Sequence, residues 1–61
     1  MKIFIINTGV DDPKFSREIN NANPAFVPRI GDKVDVGYKP FPVVKSVVWE
    51  YDKNEVFVQI E

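Results

Sequence analysis

Four carboxylates stand close enough in sequence to suggest acid–base chemistry: Asp11 beside Asp12, and Asp32 three residues before Asp35. Paired carboxylates do such work only where a site holds them together and tunes them apart. Asp11 and Asp12 fall in TGVDDPK, a stretch rich in turn formers, and Asp35 falls on the solvent side of an alternating segment. Turn formation and solvation account for all of them. Histidine and cysteine are absent, and the serines, Ser16 and Ser46, have no recognisable base beside them. That removes the usual nucleophile–base pairs and the usual zinc ligands. Asp52-Lys53-Asn54-Glu55 is too short for a calcium loop and lacks its glycine, so it reads as a hairpin turn. Gly9, Gly31 and Gly37 are scattered singly, and no loop cradles a phosphate. The expectation is a chain that is not an enzyme and holds no metal and no cofactor.

The side chains that are left are suited to recognition. Arg29, Lys33, Lys39 and Lys45 surround Tyr38 and Phe41, a mixture of cations and aromatics that could bind a single nucleic-acid strand. Against this, the pI is about 5.3 and Asp32 and Asp35 interrupt the cations. The plainer alternative makes Tyr38 a core residue and the lysines solvated charges. Net charge is −1, with residues 13–45 carrying +3 and residues 46–61 carrying −3. Protein binding or self-association is the stronger expectation. The apolar run KIFIIN has little to protect it if it lies at a sheet edge, where unpaired backbone groups accept another strand. Phe4 and Ile6 share one face of that run, and Phe57 beside Val48 adds a second outer patch.

The elements that would position these residues are strands. Val, Ile, Phe, Tyr and Trp dominate the apolar set and leucine is absent, a composition suited to pleated surfaces. Strands are expected over about 2–7, 15–19, 33–38, 43–51 and 55–60. The stretch 13–20 is ambiguous, because Asp12 could cap a short helix with Pro13 at its first position, whereas Phe15, Arg17 and Ile19 alternate like a hairpin arm. NNANP is a loop by composition. In VPRIGDKV, Pro28 holds Val27 extended, Gly31 supplies a positive φ, and the Asp32 carboxylate can accept a backbone N–H. KPFP reads as a stiff loop presenting Phe41. An even loop centred on Lys53-Asn54 places Val47, Trp49 and Tyr51 on the face of Val56, Val58 and Ile60. A bulge near Lys45-Ser46 reconciles the neighbours Val43 and Val44 with that alternation.

The pattern Pro28-x-x-Gly31-Asp32-x-Val34, followed by Val44-x-x-Val47-x-Trp49 and Val56-x-Val58, resembles small SH3-like barrels of the KOW and Tudor-like kind. The similarity covers about residues 27–60. It implies an all-β fold, a partly open antiparallel barrel of four to five strands. Neither the basic character of KOW domains nor the aromatic cage of Tudor domains is evident, so neither ligand transfers. The chain is also similar to short uncharacterised proteins of bacteria and their phages, which would suit an adaptor, inhibitor or assembly-subunit role. With 61 residues, one small domain spanning 1–61 is expected, and with no apolar segment of spanning length a cytoplasmic, membrane-free protein.

Overall fold

The apolar run Lys2–Asn7 does not lie at an edge. In the computed structural model, which describes residues 1–61, it is strand β1 and has a neighbour on each side. Strands β2 (Arg17–Ile19), β3 (Val44–Glu50) and β4 (Glu55–Ile60) complete one sheet in the order β2-β1-β4-β3. The chain is all-β, its only helical pieces being single 3₁₀ turns at Pro13–Phe15, Pro24–Phe26 and Tyr51–Lys53. The sheet stays open, ending at β2 and β3, and does not close into a barrel. It is also mixed: β1 pairs antiparallel with β2 but parallel with β4. A parallel neighbour needs a long connection, and here everything from residue 8 to residue 54 intervenes.

The ambiguous stretch resolves into both of its readings in turn. Asp12 accepts a hydrogen bond from the Lys14 N–H and Pro13 opens a single turn, after which Arg17–Ile19 pairs with β1. Residues 33–38 do not form a strand. Val34 donates to the Pro42 carbonyl at 2.9 Å and Lys33 bridges Val43, but pairing does not continue past Val34 toward Tyr38. Pro40 and Pro42 have no N–H to offer, and Gly37 at φ 110° turns the chain away. The alternation of that segment still governs burial: Val34, Val36 and Tyr38 face inward while Lys33, Asp35 and Gly37 are exposed.

Strand β3 runs antiparallel to β4 with Val47 opposite Val58, Val48 opposite Phe57 and Trp49 opposite Val56. The faces follow the alternation, but the register lies two residues from the one centred on Lys53-Asn54. Tyr51 leaves the strand to begin the 3₁₀ turn, and Asn54 closes it in the left-handed region at φ 54°. The bulge falls between Val44 and Ser46 as expected. It returns Val44 to the core face, where that side chain is fully buried.

Ile3, Ile5, Val44, Val56, Val58 and Ile60 build the core from one face of the sheet, and Val36 covers them from the long connection. Phe15, Ala22, Val27, Val34 and Tyr38 of the same connection pack around its margin. Burying each aliphatic side chain of this size contributes about 1.5–3 kcal/mol. The connection is laced together by Asn7, whose Oδ1 accepts from the Gly9 and Val10 amides at 3.0 and 3.1 Å. Its Nδ2 donates to the Tyr38 hydroxyl at 2.9 Å.

Candidate functional site

No side chain on the opposite face of the sheet is fully buried; Phe4 and Phe57 are half-buried there, and Ile6 and Val48 are exposed. Side chains there fall into three rows across the strands, fixed by the registers of β1, β4 and β3. The middle row is Glu18, Phe4, Phe57 and Val48. The Phe4 and Phe57 rings stack with centroids 5.0 Å apart and planes 10° from parallel. Offset stacking of this kind favours a defined arrangement over a loose pair. Val48 remains 53% exposed beside them. One flanking row is Lys2, Glu55 and Glu50, with the Lys2 ammonium 5.7 Å from the Phe4 ring centroid. The other is Ile6, Gln59 and Ser46, in which the Ser46 hydroxyl donates to Gln59 Oε1 at 3.1 Å and Ile6 is 44% exposed. All four side chains expected to form outer patches, Phe4, Ile6, Val48 and Phe57, thus share one surface. Their strands differ from expectation, because β1 lies inside the sheet and cannot itself accept another strand.

The free edges belong to β2 and β3. Strand β2 is three residues long and carries Arg17 and Glu18, which blunt it in the usual manner of edge strands. Strand β3 is less protected. Its end nearest the bulge is covered, since Gly31 donates to the Val44 carbonyl and Val44 to that of Asp32, at 3.0 and 2.9 Å. No backbone bond reaches Ser46–Glu50 from that side. Lys2 donates to the Asn54 carbonyl and Thr8 to that of Ile60. Even-numbered residues of β4 therefore bond toward β1 and odd-numbered ones toward β3. Ser46, Val48 and Glu50 oppose those odd residues and bond inward, which leaves the backbone groups of Val47 and Trp49 pointing outward.

The 29–45 segment does not gather into one site. Tyr38 is half-buried, its ring edge-on to Phe15 with centroids 4.8 Å apart, and its hydroxyl is engaged by Asn7. It serves the core. Lys39 lies 5.7 Å from the Phe41 ring centroid, which leaves that pair as the cation and aromatic of the segment. Lys33 and Lys45 are exposed. Arg29 instead borders a groove of about 590 Å³ with Pro24, Val27, Ile30, Val47 and Trp49. Three of the four carboxylates are held by backbone amides: Asp12 by Lys14, Asp32 by Arg29 at 2.8 Å, and Asp35 by Gly37 at 2.9 Å. No group of three acidic side chains converges in a way that could hold a metal.

Exposed apolar side chains beside that groove escape a reading by alternation. Trp49 is on the core-side face yet 40% exposed, and it stacks on Tyr51, which is 83% exposed, with centroids 6.0 Å apart. Phe26 and Ile30 are 78% and 69% exposed. The far end of β3 extends beyond the layer that covers the core, so side chains of buried parity emerge into solvent there. No helix is long and apolar enough to cross a membrane. Comparison with known protein families, with curated proteins and with solved structures finds no match to this chain.

Proposed function

We propose that the protein is a non-catalytic binding module that docks another protein on the outer face of its sheet. The observation that supports this most is the row Phe4, Phe57 and Val48, with Ile6 beside it, in which Val48 and Ile6 are exposed and the two stacked rings half-buried, rimmed by Lys2, Glu18, Glu50, Glu55, Gln59 and Ser46. An apolar centre inside a polar rim is the anatomy of protein interfaces, and exposed apolar patches on small soluble domains commonly mark interaction sites. A cytoplasmic adaptor, inhibitor or assembly subunit goes with this reading.

The test is capture of a partner by the immobilised chain, with Ile6→Lys as the probe and Lys14→Ala as a surface control. Ile6 is exposed enough for its replacement to leave the core intact. A partner retained saturably by wild type and the control but lost with Ile6→Lys is the expected result. Equal retention by Ile6→Lys would remove the face from the account. Retention of a single-stranded oligonucleotide that weakens steeply with salt would instead point to Arg29, Lys33, Lys39, Phe41 and Lys45.

A further inference from the structure

The β3 edge has two boundaries. At one end Gly31–Val34 occupies Val43 and Val44, and at the other the chain turns at Tyr51–Lys53. Five residues, Ser46–Glu50, lie between them, with Lys45 beside one end and Glu50 at the other. We propose that this edge takes a second copy of the chain, the two β3 strands pairing antiparallel about a two-fold axis at Val48.

Several features select that occupant and that register. A two-fold axis relating antiparallel neighbours in one sheet stands perpendicular to it, so each face continues across the junction and partners must share a face. Centring on Val48 uses all five open positions. It sets Val47 opposite Trp49 of the other copy, and Trp49 opposite Val47, which are the residues whose backbone groups point outward. Four inter-chain backbone hydrogen bonds result. Centring on Val47 or Trp49 pairs only one outward residue with itself and runs the rest into Lys45 or the Tyr51 turn. Antiparallel pairing also brings the Lys45 end of each strand to the Glu50 end of the other, in keeping with the positive 13–45 and negative 46–61 segments.

The side-chain rows agree with this arrangement. With Val48 against Val48 of the second copy, the row Glu18, Phe4, Phe57, Val48 continues into its own mirror order. One apolar band then crosses six of the eight strands and ends in Glu18 on both sides. The charged row meets the polar row, so Glu50 faces Ser46 of the second copy and no carboxylate faces another. The inference goes beyond the binding reading above: it concerns the edge, and the outer face of each copy stays open.

Sedimentation equilibrium with a charge swap at the axis tests it. Wild type should pass from 7.0 kDa to twice that mass as concentration rises. Val48→Lys alone and Val48→Glu alone should each remain monomeric, because like charges would oppose at the axis, while an equimolar mixture should recover the dimer. Val47→Pro, which removes an outward N–H that an edge strand can forgo, should abolish the dimer while near-ultraviolet circular dichroism reports an intact core. A wild-type chain that stays monomeric at every concentration, single variants that dimerise like wild type, or a mixture that stays monomeric would overturn the proposal. Ile6 lies away from the axis. Partner capture sensitive to Ile6→Lys by a strictly monomeric chain would sink the dimer alone, and a dimer that captures nothing would sink the binding reading alone.

Discussion

Asn7 engages both polar atoms of a buried side chain, gathering the Gly9 and Val10 amides and the Tyr38 hydroxyl at the end of β1. Asn7→Ala would leave those three groups short of partners. Urea denaturation should report a loss of about 1–3 kcal/mol. Asn7→Asp keeps the acceptor and lets the Tyr38 hydroxyl turn to donate, so its loss should be smaller. Nothing local in the sequence marks this role, because Tyr38 is 31 residues away. Gly31 and Asp32 were more legible, since a turn states its own requirements. Gly31 has φ 95° and Asp32 accepts the Arg29 N–H. No heavy atom lies within 4 Å of where a Cβ on Gly31 would stand. Gly31→Ala should therefore cost only its conformational strain, about 1–2 kcal/mol by the same denaturation measurement.

At the scale of elements, period-two alternation carried most of the information, and its limits are visible in β3 and β4. Alternation assigns faces, and those of Val47, Trp49, Val56, Val58 and Ile60 were readable from it. A slip of two residues keeps every face unchanged, so register was left to the turn, where Tyr51 and Asn54 decide it. The bulge was readable because Val43 and Val44 break the alternation in front of a long regular strand. Removing Lys45 would erase the extra residue and force Val44 out of the core or the rest of β3 out of step. Deletion of Lys45 should abolish the cooperative unfolding transition, whereas Lys45→Ala should change stability by no more than about 0.5 kcal/mol. The same apolar pattern that identified β1 could not say which strands it joins. An uninterrupted apolar run suits a free edge seeking a partner and an interior strand equally. Parallel pairing with β4 depends on how the whole intervening chain folds back.

The molecule as a whole is a sheet with one finished face. The long connection between β1 and β3 offers enough apolar side chains to cover Ile3, Ile5, Val56, Val58 and Ile60, and Phe15, Ala22, Val27, Val34, Val36 and Tyr38 pack on that side. The patch residues Phe4, Ile6, Val48 and Phe57 were legible because each alternates with a core residue. Their meeting on one surface was not, since it depends on the strand order. The exposed Trp49 and Tyr51 were not legible either, because parity says nothing about where the covering layer ends. The central claim is that the single chain leaves Ile6 and Val48 on this second face exposed. Methyl-detected NMR with a soluble paramagnetic agent measures that directly, at a concentration low enough to keep the chain monomeric. The Ile6 and Val48 methyl signals should broaden strongly, while those of Val36, Val44, Val56, Val58 and Ile60 stay sharp. Ile6 and Val48 signals as protected as those five would mean that the chain covers both faces of its sheet, and would contradict the account.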